Sequence, residues 1–419
     1  TGQGTFGGGT SLALNGTASA AAVADTANTA VVTIGNTWAA GDVANITVAG
    51  VDLSYTLGTG EDEGDAGVSL AGQINALGLD GLSASDDGSG VMDLAKVIVD
   101  ALRAAVGVPA AAYALAAVGL NVHFGYTGLL NFGHVGFMMV GAYGTAITVN
   151  NGGPLWLGVL AGIGAAVVLG LLLGIPTLRL RADYLAIVTI AVAEILRLSA
   201  RSRTFEPFTR GVFGIQRFAD AWYDLNPIPE GRYGIGSFSF SHRQLWVILL
   251  GWLLVMATSL LLRTLMRSPW GRVLKSIRED EDAARSLGKN VFGYKMQSLV
   301  LGGAIGSLAG IVLAIDTQSV NPDTYLAILT FFAYTVLILG GPGRVFSPVV
   351  GSIIFWFLLQ FTDGFMREAL EAGWFGDVLD GSDISAIRFS LVGLGLMLLM
   401  VFRPQGIFGS REEMLIDER

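Results

Sequence analysis

The 419-residue chain contains no cysteine and few charged residues, which make up only 14% of it. The lack of cysteine excludes disulfide bonds and thiolate metal sites. Soluble domains carry about a quarter charged residues. A chain this poor in charge and 52% hydrophobic is therefore typical of a polytopic membrane protein. The three histidines, His123, His134 and His242, are too scattered in sequence to indicate a metal cluster.

The sequence also lacks the GxxxxGK[ST] motif with which P-loop proteins hold nucleotide phosphates. We therefore expect the chain not to bind ATP through a P-loop. We also expect it to carry no cofactor or metal and to catalyse no covalent step. If ATP drives its function, separate subunits must bind and hydrolyse the nucleotide.

Acidic residues are concentrated at the start of the chain. Residues 1–96 carry eleven acidic residues and one basic residue, Lys96, whereas the remainder is nearly neutral. This asymmetry predicts an acidic N-terminal module over 1–96 and a transmembrane domain over 97–410, followed by a cytoplasmic tail at 411–419.

The predicted N-terminal module is small and rich in β-structure. Residues 30–38, 42–50 and 51–58 are β-rich runs separated by glycine, and residues 68–78 have the pattern of a short amphipathic helix. The stretch 61–67 crowds four acidic side chains together, which invites a calcium site. Because the EF-hand spacing is absent, a solvated acidic loop is the favoured interpretation.

Nine apolar runs follow, each long enough to be considered a membrane span. They cover about residues 97–120, 129–149, 155–177, 183–199, 244–266, 296–315, 325–341, 346–362 and 386–402. Asp100 and Arg103 weaken the first run, which could begin nearer Val106. The pattern predicts an all-α polytopic membrane protein with about nine to ten transmembrane helices and a small N-terminal β-rich extracytoplasmic module.

Basic residues indicate which connections lie in the cytoplasm. The loop after residue 266 is strongly basic. The connection 178–182 also contains arginines, and Arg344 and Arg403 lie in two further connections, whereas the connection 363–385 is acidic. Placing the basic connections inside leaves the C-terminus inside and the N-terminal module outside. The connection 200–243 is then outside although it carries several arginines. An odd number of spans with an external start predicts a tenth helix before Thr1.

The basic loop itself contains signals for two short helices. Ser268-Pro269 has the pattern of an N-cap followed by proline at the first helical position. Asp280 can cap a second helix, and Gly288 is a suitable terminator for it. Ala283-Ala284 give this helix a slim face, which suits insertion into a groove of another protein better than exposure to water. An ordinary solvated loop is the alternative.

Asp282-Ala283-Ala284, three further residues and then Gly288 resemble the EAA loop of ABC importer permeases, with aspartate in place of the usual glutamate. In that family, this helix docks on the ATPase subunit and transmits its motion. The resemblance therefore implies an ATPase-coupling role for Asp282, Ala283, Ala284 and Gly288.

Four further stretches narrow the resemblance. Residues 119–144, 178–198, 337–352 and 402–409 are similar to the second, M-type permease subunit of branched-chain amino acid ABC importers, and the likeness covers about residues 105–410. The residues 1–96 lie outside the pattern. The urea branch of the same permeases is an alternative. By analogy, the stretch RADYLAIVT favours the amino acid branch over the urea branch.

The resemblance implies a complete importer around this chain. A second permease subunit would form a heterodimer with it, two ABC ATPase subunits would bind the cytoplasmic loops, and an extracytoplasmic solute-binding protein would deliver the amino acid. The chain would lie in the lipid bilayer of a bacterial inner membrane as a multi-pass protein, and no nucleic acid would be involved.

Polar residues in the glycine-rich stretch 119–144 are candidates for the translocation pathway: Asn121, Thr127, Asn131 and His134. The sequence HFGYTG could break a helix near the midplane of the membrane and leave backbone groups free for a zwitterionic solute. Hydrogen bonding between buried helices is the other interpretation, and we favour it. The glycines of the stretch recur about once per helical turn, which predicts close helix packing.

Two further charged positions lie near predicted outer helix ends. Glu194 and Arg197 are three residues apart, a spacing that predicts a local ion pair. Asp316 is placed at the end of another span, where we expect it to be solvated.

Two other functions fit parts of the sequence. A secondary transporter or channel for a small polar solute would need no ATPase and no docking loop. A surface recognition domain on a membrane anchor would make the module at 1–96 the functional part, but nine spans are more than an anchor requires.

Overall fold

A computed structural model describes the backbone of residues 3–6, 10–15, 23–26, 29–32, 43–48, 51–56, 94–179, 182–235, 238–371, 383–403 and 405–408. The chain divides into two compact units, one comprising Thr1–Ala95 with Asp363–Ser385 and the other Lys96–Thr362 with Ala386–Arg419. The predicted helix at 68–78, the acidic stretch 61–67 and the tail 411–419 lie outside the described residues.

The first unit contains strands. They are β1 (Gln3–Phe6), β2 (Thr10–Asn15), β3 (Val23–Thr26), β4 (Thr29–Val32), β5 (Val43–Val48) and β6 (Val51–Thr56). An antiparallel sheet has the order β1-β2-β5-β6, and β3 pairs with β4 as a hairpin. Strands β5 and β6 lie within the predicted runs 42–50 and 51–58, and their register pairs Val48 with Val51. The extracytoplasmic module as a whole stays a prediction.

Helices dominate the chain from residue 94 onward. They are α1 (Leu94–Val106), α2 (Val108–Leu120), α3 (His134–Asn150), α4 (Leu155–Thr177), α5 (Ala182–Arg201), α6 (Glu206–Thr209), α7 (Asp220–Asp224), α8 (His242–Arg267), α9 (Pro269–Glu279), α10 (Glu281–Ser286), α11 (Val291–Thr317), α12 (Ile328–Gly340), α13 (Ser347–Glu371) and α14 (Asp383–Phe402). A π-helix (Asn121–Tyr126) continues α2, and the short strands are β7 (Ile215–Gln216), β8 (Arg232–Ile235), β9 (Phe238–Ser241) and β10 (Ser319–Val320).

Eight of the nine predicted apolar runs each overlap one helix, and the first run is divided between α1 and α2. Among the described residues, six helical segments are long and apolar enough to cross a membrane: Val108–Tyr126, Leu155–Thr177, His242–Arg267, Val291–Thr317, Pro322–Gly340 and Ser347–Leu370. The helices α3, α5 and α14 are not among these six segments. The protein is thus a mainly α-helical polytopic membrane protein.

The first apolar run does not form one helix, which corrects the predicted span at 97–120. The chain breaks between α1 and α2 at Gly107, whose extended backbone (φ −68°, ψ 177°) caps α2. Pro109 lies in the first turn of α2, where its missing N–H costs nothing. The span therefore begins at Val108, and Asp100 and Arg103 lie before it on α1.

Helix α11 lies at the centre of the second unit, packed against α2, α3 and α4. Its glycines permit backbone contact with these neighbours. A Cβ built on Gly310 would lie 2.0 Å from the carbonyl oxygen of Met138, and one on Gly302 would lie 2.5 Å from that of Gly119. The predicted close packing of the glycines in 119–144 is also confirmed, since a Cβ on Gly141 would lie 2.6 Å from Ser307. Within a membrane the hydrophobic effect does not drive helices together. Small residues therefore matter, because they let the helices approach closely enough for van der Waals packing.

The direction of α11 distinguishes the two ends of the helix bundle. Its first residue follows the basic loop 268–290, and its last is followed by β10, which pairs with β7 of the connection 202–241. The loop 268–290 and the connection 202–241 therefore lie at opposite ends of α11. We call the end that carries β7 and β10 the outer end, in keeping with the orientation predicted from charge.

Ion pairs tie the outer ends of helices together. Arg197 on α5 pairs with Glu194 at 2.6 Å, which confirms the predicted local pair. The same guanidinium also reaches Asp323 at 2.8 Å, and Arg201 reaches it at 3.2 Å. The arginine side chains thus connect α5 to the short 3₁₀-helix Pro322–Thr324 before α12.

Candidate coupling loop and polar core

The basic loop 268–290 forms the two predicted helices, α9 and α10. The Ser268 hydroxyl accepts a hydrogen bond from the backbone N–H of Trp270 at 3.2 Å, and Pro269 is the first residue of α9. The carboxylate of Asp280 accepts from the N–H of Ala283 at 2.9 Å and caps α10. These side chains satisfy backbone groups that a helix start leaves free.

Gly288 ends α10 in the predicted way. Its φ of +76° lies in the left-handed region that glycine adopts without a Cβ penalty. Its N–H donates to the carbonyl of Arg285, and the N–H of Lys289 donates to that of Ala284. This pair of hydrogen bonds is the Schellman motif, which uses helix carbonyls that would otherwise be unpaired.

The alanine pair does not form one outward face. Ala284 is only 2% exposed and packs with Ile277 and Val291 in a small core of the loop. Ala283 is exposed. The small side chain of Ala284 therefore allows α10 to pack close to α9 and α11. This corrects the interpretation that both alanines serve to enter a groove of a partner protein.

Side chains fix the loop to the base of α11. Glu281 forms an ion pair with the largely buried Lys295, and the indole N–H of Trp270 donates to the Gln297 side chain at 2.7 Å. Arg285 pairs with Glu281 at 2.8 Å, although both side chains are exposed to solvent. Exposed pairs contribute little stability, so the attachment depends mainly on the small core of Ile277, Ala284 and Val291 and on the ion pair with the largely buried Lys295. The loop is a firm two-helix unit on α11.

The exposed tip of this unit carries an apolar side chain that the sequence analysis overlooked. Leu287 is 79% exposed, between the end of α10 and Gly288. Its neighbours Asp282, Ala283 and Gly288 are exposed as well. A leucine alone in a charged segment between two helix signals was the feature that could have identified it. A single exposed leucine is ordinary on a protein surface, so its place at the tip of this loop, and not its exposure alone, makes Leu287 a candidate docking contact.

Helix α9 contacts the π-helix directly. The Arg278 guanidinium donates a hydrogen bond to the carbonyl of Gly125 at 2.6 Å. The ammonium of Lys275 lies 6.0 Å from the centre of the Tyr126 ring. Gly128 has a φ of +74°, which favours glycine, and a Cβ built at that position would be in ordinary van der Waals contact with Cγ of Arg278 at 3.5 Å. The loop 268–290 is thereby tied to the end of the α2 span.

Asn121 joins the π-helix to another turn at the same end of the bundle. Its side-chain amide donates to the carbonyl of Arg344 at 2.8 Å, and its Oδ1 accepts from the N–H of Gly343 at 2.9 Å. The side chain is fully buried, so these bonds satisfy groups that burial would otherwise leave without partners.

Thr127 and Asn131 are buried and hydrogen-bonded as well. The Thr127 hydroxyl donates to the carbonyl of Val122 at 2.9 Å and lies 2.7 Å from the Ser298 hydroxyl on α11. The Asn131 amide lies 3.2 Å from Nδ1 of His123. Nε2 of His123 in turn lies 3.1 Å from the carbonyl of Leu299. His123 and Ser298 complete this network, and sequence reasoning had assigned them no role.

His134 differs from the other three predicted pathway residues. Its ring is fully buried and meets that of His123 edge to face, with centroids 5.5 Å apart. Neither ring nitrogen forms a well-aligned hydrogen bond among the described residues, although the carbonyl of Ala116 approaches the ring. A Cβ on Gly306 would lie 2.5 Å from it, so the glycine makes the space that the ring fills.

In the described part of the chain, the pair His123 and His134 is not joined by an acidic side chain in a group that could hold a metal ion. Within the described residues, no group of three or more histidine or acidic side chains could hold a metal ion. The structure thus brings together Asn121, Thr127, Asn131 and His134 around the π-helix, and places Asp282, Ala283, Ala284 and Gly288 on the adjoining loop. Arg278 connects the two groups.

Comparisons with known proteins agree with this architecture. The family described as branched-chain amino acid transport system / permease component matches residues 104–402. The high-affinity branched-chain amino acid transport system permease protein LivM of Escherichia coli is 32% identical over 310 residues, which cover 70% of this chain and 67% of that protein. A probable LivM of Methanocaldococcus jannaschii is 23% identical over 70% of this chain and 90% of its own length. The LivH permease of Salmonella typhimurium is 25% identical over 72% and 92%. The chain belongs to the family of permease components of branched-chain amino acid transport systems.

Proposed function

We propose that the chain is the permease subunit through which an ABC importer carries branched-chain amino acids across a bacterial inner membrane. Membership of the permease family supports the transport role. Relatives named as LivM and LivH permeases of branched-chain amino acid systems support the substrate class. In this proposal the chain binds no cofactor, and ATP is bound by partner subunits.

The observation that carries the coupling part of the proposal is the build of the loop 268–290. It is fixed to α11 by Lys295 and Gln297, it presents the exposed Leu287, and Arg278 links it to the π-helix. A loop that only connected two spans would need neither a rigid core nor an apolar tip. Asp282, Ala283, Leu287 and Gly288 would form the surface gripped by the ATPase, with Ala284 holding α10 in place.

This proposal requires partner subunits, because the chain itself is proposed neither to bind ATP nor to capture the solute outside the membrane. A second permease subunit would complete the channel as a heterodimer, and two ABC ATPase subunits would grip the cytoplasmic loops. An extracytoplasmic solute-binding protein would deliver the amino acid. The nine helices that match the apolar runs would then all cross the bilayer, with 268–290 inside.

The pathway role of Asn121, Thr127, Asn131 and His134 stays a prediction. In this conformation all four side chains are buried, and three are engaged in hydrogen bonds within the subunit. We propose that the network around the π-helix holds the inner end of the α2 span and exchanges partners when access to the channel switches. His134, with its unsatisfied nitrogens, is the member best suited to meet a polar group of the solute.

Reconstitution tests the proposed function. We expect liposomes containing the chain, its second permease and both ATPase subunits to accumulate radiolabelled leucine only when the binding protein is outside and ATP is on the ATPase side. A hydrolysis-inactive ATPase is the control and should abolish uptake. Full-rate leucine uptake without any ATPase would contradict the proposal and favour a secondary transporter. Uptake of urea or acetamide in place of leucine would move the chain to another branch of the permeases.

A further inference from the structure

A cavity of about 270 Å³ lies at the outer end of the helix bundle. It is formed where α1 meets α2 and where α8 begins, with contributions from α11 and α13. The residues that line it include Asp100, Arg103, Phe240, Gln244, Ile248 and Asp316. Sites for drug-sized ligands enclose about 300–1,000 Å³, so this cavity suits a smaller molecule.

The cavity and the coupling loop lie at opposite ends of the same two helices. Helix α8 contributes Gln244 from its first turn to the cavity and leads at its other end into Ser268 of the loop. Helix α11 starts directly after the loop and contributes Asp316 from its last turn. At 1.5 Å per residue, about 40 Å separate the two ends of α8. The cavity is thus distinct from the polar core around the π-helix.

Three charged side chains face this cavity without neutralising one another. Arg103 stacks on the Phe240 ring at 5.4 Å and lies 3.5 Å from the Gln244 side-chain oxygen, both of which are uncharged partners. In the described part of the chain, neither Asp100 nor Asp316 forms a hydrogen bond or an ion pair, although Asp316 is only partly exposed. Partly buried charges ordinarily have partners, because desolvation otherwise costs free energy.

The opposite wall of the cavity is apolar. Val108 and Ile248 are buried against the core, and Pro109 and Phe240 complete this surface. A cationic group, two carboxylates and an apolar wall around one small cavity match the three parts of an α-amino acid with a hydrocarbon side chain. A divalent metal ion fits poorly, because the Arg103 guanidinium lines the same space and would repel it.

We infer that this cavity is an entry site for the zwitterionic amino acid on the outer side of the permease. Arg103 receives the carboxylate of the ligand, Asp316 and Asp100 receive its ammonium group, and the apolar wall receives its side chain. The inference rests on the proposed function for the identity of the solute. It adds a first contact in the permease, at the end of the bundle away from the ATPase.

The test uses the full chain in lipid nanodiscs and saturation-transfer NMR with three probes: L-leucine, 4-methylpentanoate, which lacks the ammonium group, and isopentylamine, which lacks the carboxylate. We expect leucine to bind and both analogues to bind at least about ten-fold more weakly, as expected for losing a charge-assisted hydrogen bond. Asp316→Asn should weaken leucine binding to the level of 4-methylpentanoate, and Arg103→Gln should weaken it to the level of isopentylamine.

This pattern separates the inference from misfolding, since each variant should lose discrimination for one charge and keep it for the other. Asp220→Asn and Arg203→Gln remove the same charges from exposed positions on the outer connection and should leave binding unchanged. Absence of leucine binding, or equal binding of all probes, would overturn the inference, as would binding at wild-type affinity by Asp316→Asn and Arg103→Gln. If reconstituted uptake is ATP-dependent while Asp316→Asn and Arg103→Gln transport leucine with an unchanged KM, the entry site is wrong and the proposed function stands. If uptake needs no ATPase, the proposed function fails instead.

Discussion

Replacing Leu287 with glutamate should detach the ATPase subunit while leaving the permease folded. The side chain is 79% exposed, so the charge meets water in the free chain and costs little stability. In the complex it would replace an apolar anchor by a buried charge without a partner. Anchors of this kind contribute about 2 kcal/mol or more, so affinity should fall at least roughly 30-fold. Microscale thermophoresis of the detergent-solubilised permease dimer with labelled ATPase measures this change.

A matched control separates docking from a general effect of the new charge. Leu225 is 70% exposed on the connection at the outer end, so Leu225→Glu makes the same chemical change far from the loop. It should leave ATPase binding unchanged. If Leu287→Glu binds the ATPase with wild-type affinity, the tip of α10 is no docking contact and the coupling proposal loses its main support.

Replacing Arg278 with alanine should uncouple ATP hydrolysis from transport. The Arg278 side chain extends from α9 to the π-helix, and its hydrogen bond to the Gly125 carbonyl joins the two. Hydrogen bonds to charged groups contribute about 1.5–3 kcal/mol, so their loss can change a coupled equilibrium by about ten-fold or more. We expect leucine uptake per ATP hydrolysed to fall by at least about ten-fold, with ATPase binding retained.

Two further variants make the result specific to this bond. Arg278→Lys keeps the charge and a donor and should recover part of the coupling. Arg272→Ala removes an exposed arginine from the same helix, outside the contact with the π-helix, and should leave the ratio of uptake to hydrolysis unchanged. Loss of uptake and of hydrolysis in parallel in Arg278→Ala would indicate a failure of assembly and would contradict the transmission role.

Local features of the chain were predictable because they depend on neighbours in sequence. The N-caps Ser268 and Asp280 and the terminator Gly288 are short-range signals, and the structure has each of them in the expected role. Eight of the nine apolar runs likewise overlap single helices, since a span needs only length and hydropathy. The ion pair of Glu194 with Arg197 follows from helical spacing alone.

Features that depend on contacts between residues far apart in the sequence could not be predicted from it. The contact of Arg278 with Gly125 joins residues 153 positions apart, and no local pattern specifies it. The inward face of Ala284 depends on how α10 packs against α11, which the sequence of the loop does not determine. The helix break predicted in HFGYTG near the midplane is found instead at the inner end of the span, where the helix continues as the π-helix Asn121–Tyr126. The π-helical form was not predictable, because no residue composition is specific to it. It is stabilised by Asn121, which accepts a hydrogen bond from a turn more than 200 residues away.

The sidedness of the loop 268–290 tests the central claim most directly, because an ATPase can grip it only from the cytoplasm. The chain contains no cysteine, so Leu287→Cys introduces a single thiol for an impermeant maleimide. We predict labelling in inside-out vesicles, none in right-side-out vesicles, and protection when the ATPase subunit is added. Labelling from the outer side, or labelling from the inside that the ATPase does not reduce, would contradict the account.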